Sequence, residues 1–191
     1  MKNLSTLSKS IVMVLSIAGV SSAAIAVGQT ATNTQVSEAV AVAQSKISLE
    51  QAIVIAKKTI KGDVVSAGFD QNEHSAGGHY EVNIVTNSIE YEVKIDANSG
   101  KVLSNKQEKL DKEDMSEYNA MKKSKTSLNQ AIKKANQGVK GKVIEAGFDI
   151  DFGKPAYKIE IVKGAQVHKV VIDSMTGKII RSQVEAADSD D

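Results

Sequence analysis

The residues whose type and spacing could do chemistry are few. His74 and His79 sit with Asp70 and Glu73 around the polar, glycine-containing segment Asp70–Gly78, a mixture of nitrogen and oxygen donors that suits a metal ion. Asp70, His74 and His79 are the metal candidates. A firm site, however, needs three or four ligands on rigid elements, and the segment reads as a loop. Gly100-Lys101 and Gly177-Lys178 suggest a phosphate loop, but neither pair is followed by Ser or Thr, and neither has a glycine five residues earlier opening a helix. Both pairs read as turns. The chain has no His-Glu-x-x-His, no Gly-x-Ser-x-Gly and no cysteine. That excludes the peptidase and nucleophile motifs, and neither catalysis nor a cofactor is expected.

The elements that must position these residues follow from periodicity. Leu49, Ala52, Ile53, Ala56 and Ile60 make a helical stripe behind a Ser48/Gln51 capping box, with Gly62 placed to end the helix. Val65, Ala67 and Phe69 alternate as a short strand. Tyr80, Val82 and Ile84 alternate with Glu81 and Asn83. After an Asn87-Ser88 break, Tyr91, Val93 and Ile95 alternate with Glu90, Glu92 and Lys94. This is a hairpin burying one face and wetting the other. A turn with Asp96 and Gly100 follows, and Lys101–Ser104 starts one more short strand.

The same design returns. Ser127-Leu128-Asn129-Gln130-Ala131-Ile132 echoes Ser48 to Ile53, and Ala146-Gly147-Phe148-Asp149 echoes Ala67 to Asp70, both at an offset of 79. Tyr157, Ile159 and Ile161 repeat Tyr80, Val82 and Ile84 at an offset of 77, as Asp173 to Lys178 repeats Asp96 to Lys101. The difference of two falls in the loop, where length costs little. This is an internal duplication. Tyr80, Val93, Asp96 and Gly100, with Tyr157, Val170, Asp173 and Gly177, form its structural signature. His168 takes the inward strand phase of Tyr91 and reads as a packing residue.

Helix, strand, Tyr-x-Val/Ile-x-Ile, then Val-x-Ile-Asp-x-x-[Ser/Thr]-Gly-Lys resembles a PepSY domain, present twice, over residues 47–104 and 126–183. The resemblance implies a non-enzymatic module that restrains or modulates a peptidase or another envelope protein. The expected fold is α+β, two tandem repeats, each an N-terminal helix packed on a small antiparallel sheet.

The flanks complete the organisation. Lys2 and Lys9, a largely apolar run from Ile11 to Val20 and Ala24-Ile25-Ala26 read as a signal peptide over residues 1–26. A soluble exported protein, periplasmic or extracellular, with no membrane insertion after cleavage is therefore expected. Residues 27–46 read as a flexible leader or weak helix with Val36, Val40 and Ala43 on one face, 105–125 as a charged linker and 184–191 as an acidic tail. The formal net charge of +1 and the lack of a basic, aromatic stripe give no support to nucleic-acid binding. The first repeat carries net −3 and the second net +5, a contrast that suits docking between them. Partner contacts are expected on the polar strand faces, at Glu81, Asn83, Glu90, Glu92 and Lys94 and at Lys158, Glu160 and Lys169, or along an exposed sheet edge. The alternative is a small-ligand or metal-binding protein using the Asp70–His79 loop.

Overall fold

The computed structural model describes residues 38–72, 77–151 and 153–186. The signal-peptide reading, most of the leader, His74 and the tail beyond residue 186 lie outside them. Among the described residues four helices, α1 (Glu38–Gln44), α2 (Leu49–Thr59), α3 (Lys112–Met121) and α4 (Leu128–Gly138), accompany eight strands. These are β1 (Asp63–Gln71), β2 (Gly78–Thr86), β3 (Ile89–Asp96), β4 (Val102–Lys109), β5 (Lys142–Asp151), β6 (Lys154–Lys163), β7 (Gln166–Asp173) and β8 (Ile179–Ala186).

The fold is α+β with two tandem units, but the two sheets are one. All eight strands run antiparallel in the order β4-β3-β2-β1-β5-β6-β7-β8. The repeats meet where Ser66, Ala67 and Gly68 of β1 pair with Gly147, Ala146 and Glu145 of β5. Ala67 therefore faces its own copy, and the repeats are related by an approximate two-fold axis through that pair. The acidic and basic units stand edge to edge rather than face to face, and the join is made by main chain instead of charge. A single core containing Leu49, Ile53, Val82 and Ile84 together with Leu128, Ile132, Ile159 and Ile161 spans both.

Helices α2 and α4 bury the expected stripes, Leu49, Ala52, Ile53 and Ala56, and Leu128, Ala131, Ile132 and Ala135. Both capping boxes form. Gly62 does not end α2, which stops at Thr59 with Ile60 extended. A Cβ on Gly62 would lie 2.6 Å from the Val85 carbonyl oxygen, and one on Gly141 would lie 2.4 Å from that of Val162. Close backbone approach is what demands glycine there. Val65 also departs from the simple alternation. A bulge between Val64 and Ser66 turns it into a second cluster with Val85 and Leu110, against Met115, Tyr118 and Met121 of α3.

The signature turn explains the duplication's most constant residues. Asp96 Oδ1 accepts from the Asn98 and Ser99 amides and the Ser99 hydroxyl, and Gly100 takes φ 69°. Asp173 does the same with Met175 and Thr176, and Gly177 takes φ 66°. The turn so held presents the Ala97 carbonyl to the amides of Lys46 and Ile47, and the Ser174 carbonyl to those of Lys125 and Thr126. Tyr80 Oη then donates to the Ile47 carbonyl at 2.9 Å, and Tyr157 Oη to the Thr126 carbonyl at 2.8 Å. Signature tyrosine and turn together fix the chain just before each N-cap.

Two segments are more ordered than their composition suggests. Strand β4 runs on to Lys109, and α3 is anchored by Tyr118 and Lys122, whose side chains donate to Asp63 at 2.6 and 2.9 Å. Leader helix α1 buries Ala41 and Val42 and leaves Ala43 exposed, so its face differs from the spacing argument. The Lys142 ammonium donates to the carbonyls of Val42, Ala43 and Ser45 at the end of α1. Asp63 and Lys142 are equivalent positions, and each grips the helix that precedes the other repeat.

Two outcomes test this anchoring. Lys142→Ala leaves three carbonyls without their shared donor and should cost about 1–3 kcal/mol in urea unfolding. Asp96 and Asp173 are held below the ordinary carboxylate value of 3.8, first by the hydroxyls of Ser99 and Thr176 and then by turn amides. A depressed folded pKa contributes stability above the unfolded value that is lost as pH falls through the folded one. The Asp96→Ala/Asp173→Ala variant should therefore be less stable at neutral pH, and its stability should decline less than the parent's as pH falls below 3.8.

Candidate functional site

Strand alternation sends Tyr80, Val82 and Ile84 of β2, Val93 and Ile95 of β3, Tyr157, Ile159 and Ile161 of β6 and Val170 and Ile172 of β7 to the side of α2 and α4, while Val85 turns to the opposite face under α3. The other face of the sheet receives all eight partner candidates: Glu81 and Asn83 on β2, Glu90, Glu92 and Lys94 on β3, Lys158 and Glu160 on β6, and Lys169 on β7. Glu81 faces Lys94, Asn83 faces Glu92 and Glu160 faces Lys169 in register.

This face is neutralised by its own charges. In the first repeat Lys94 contacts Glu81 and lies 3.8 Å from Glu92, and Lys106 of β4 lies 3.8 Å from Glu92. Asn83 and Glu90 are buried, and Asn83 donates to Ser66 Oγ at 3.0 Å. In the second repeat Lys158 contacts Asp149, Arg181 donates twice to Asp151 at 2.6 and 2.7 Å, and Lys169 pairs with Glu185 at 2.7 Å and Glu160 at 3.7 Å. Burial pushes the Glu81 carboxyl up, but the Lys94 ammonium and the His79 ring outweigh it and hold it below its ordinary value. Glu160 is held above its ordinary value by burial, which Lys169 only partly offsets. On α3, burial and then the Asp63 carboxylate push Tyr118 up to about 12.

The metal candidates separate. Asp70 and His79 are cross-strand partners, so both lie on strands rather than in a loop. Glu81, placed among the partner candidates, joins them as a third donor. His168 is half-buried between Ile161 and Val184, its neighbours in register.

The open edges of the sheet are β4 and β8, and sequence reasoning placed no site residue on them. Val102 and Leu103 at the start of β4 are exposed, as are Ile179, Ile180 and Val184 on β8. Leu103 and Ile180 are equivalent positions, 58% and 49% exposed. The available signal was the apolar pair after each Gly-Lys, Val102-Leu103 and Ile179-Ile180. Among the described residues no helix is long and apolar enough to cross a membrane.

The family pattern described as "Peptidase propeptide and YPEB domain", PepSY, matches residues 46–106 and 125–183, one match per repeat. The chain belongs to the PepSY family. A crystal structure of a candidate lipoprotein from Clostridium difficile 630 is similar to this PepSY chain at 31% identity, covering 74% of this chain and 95% of that one with a TM-score of 0.46. The Bacillus megaterium YpeB C-terminal domain is similar at 18% identity, covering 74% of this chain and 66% of that one with a TM-score of 0.28. Comparison with curated protein sequences finds no match.

The charged face of this PepSY sheet yields its own test. Because the Glu160 carboxyl sits above its ordinary value of 4.5, its ionisation opposes folding at neutral pH, and that cost disappears as pH falls below the unfolded value. Glu160→Gln should raise the melting temperature at pH 7, with the gain vanishing below pH 4.5. A loss of stability at pH 7 would show that the Lys169 pair outweighs burial.

Proposed function

We propose that this PepSY protein is an exported, non-enzymatic module that binds a protein partner, a peptidase or another envelope protein, and modulates or inhibits it. The observation that carries the proposal is where apolar surface is left uncovered. Of the seven large hydrophobic residues exposed among the described ones, five lie on β4 and β8. An edge strand presents unpaired N–H and C=O groups, and an extended segment of a partner adds to it as a further strand. Apolar side chains along the same edge give that addition a hydrophobic component. The sheet face, with its charges already paired, tunes which segments fit.

Family membership supports the protein-binding class. The basic, apolar N-terminal sequence supports export. The chain itself lacks the cysteine that lipid attachment requires, which favours a protein free in solution.

Capture from the exported fraction followed by peptidase assays tests the reading. The parent protein should recover a peptidase or envelope protein and change its activity. The Leu103→Lys/Ile180→Lys variant, altered only at exposed edge positions, should remain folded and lose that effect. Recovery of no such protein, or full activity of the edge variant, would contradict the proposal.

A further inference from the structure

The outer face holds one group of side chains whose geometry does more than neutralise charge. We propose that Asp70, His79 and Glu81 form a binding site for a divalent transition-metal ion of the zinc class. The site is independent of partner binding at the sheet edges.

Position comes from the sheet. His79 and Glu81 are two apart on β2, so both point to the same face, and Asp70 is the partner of His79 across β1. Each residue contributes one donor atom, and the three atoms lie within 4.8 Å of one another. His79 Nε2 is 3.4 Å from Glu81 Oε1 and 3.9 Å from Asp70 Oδ2. Ligand bonds of about 2.1 Å at tetrahedral angles place neighbouring donors roughly 3.4 Å apart, so side-chain rotation alone closes the site. All three side chains are partly exposed, which leaves a fourth position open to water.

The surroundings point to a cation. Asn72 Oδ1 lies 3.4 Å from His79 Nδ1 and can accept its proton. In that tautomer the Nε2 lone pair faces two carboxylates, a set of donors that suits a metal ion, whereas in the other tautomer Nε2 donates to Glu81. The second repeat fills the same place with a built-in cation. There Ala156 stands at the position of His79, and the Lys158 ammonium, at the position of Glu81, contacts Asp149, the equivalent of Asp70. In the first repeat Lys94 reaches Glu81 but has no direct contact with Asp70. Asp70 is the carboxylate left short of positive charge. Lys94 is also the metal's competitor for Glu81, and its removal should favour the ion.

Zinc titration of the exported protein by calorimetry is the test, with the ring nitrogens of His79 and His168 followed by NMR. Binding of one ion per chain is expected, shifting His79 Nε2 and leaving His168 unmoved. His79→Ala should abolish binding, Asn72→Ala should weaken it about tenfold, and Lys94→Gln should tighten it. Circular dichroism establishes that each variant is folded. Failure of the parent to bind zinc, or binding that survives His79→Ala, would overturn the site.

Discussion

Everything in this molecule depends on a short piece of main-chain pairing, Ser66-Ala67-Gly68 against Glu145-Ala146-Gly147. A four-stranded unit of this kind has two edges, and β1 and β5 would each be one of them. Their antiparallel pairing consumes both, leaves β4 and β8 as the ends of an eight-stranded sheet, and sets α2 and α4 side by side over one core. Each repeat is near the lower size limit for an autonomous hydrophobic core. Sharing one core across the axis meets that constraint in a chain that has no cysteine to cross-link it.

The two-fold relation also accounts for segments that look like connections. The helices preceding the repeats, α1 and α3, are gripped from equivalent positions at the starts of β5 and β1. In one case an acid, Asp63, accepts from a tyrosine and a lysine; in the other a base, Lys142, donates to the carbonyls that end a helix. The duplication kept the position and inverted the charge. The same inversion runs across the outer face, where Glu81 in one repeat corresponds to Lys158 in the other. The net charges of opposite sign thus mark two solutions to neutralising one template, rather than two surfaces that dock.

Much of this was legible in the residues. Period-2 runs, helical stripes, capping boxes and the offsets of 79 and 77 gave the units, and alternation put all eight polar candidates on the face away from α2 and α4, although Asn83 and Glu90 are buried there. What escaped was whatever depends on pairing between distant strands. No periodicity reports that Ala67 meets Ala146, so the join was assigned to charge. The bulge that turns Val65 away from Ala67 is invisible to simple alternation. Glu81 could join Asp70 and His79 only once the register placed β1 beside β2, and His74, equally attractive by type, lies outside the described residues. The apolar edge pairs Val102-Leu103 and Ile179-Ile180 are too short to show a period, and nothing local marks the strands that carry them as edges.

Only the pairing of β1 with β5 reduces four open edges to two. Amide hydrogen exchange resolved by residue measures this directly. The hydrogen-bonded amides within 66–68 and 145–147 should exchange only through global unfolding, in the same slow class as the centres of β2 and β6, while outward amides of β4 and β8 should exchange fast. Fast exchange throughout the junction, with two repeats that open independently, would contradict it.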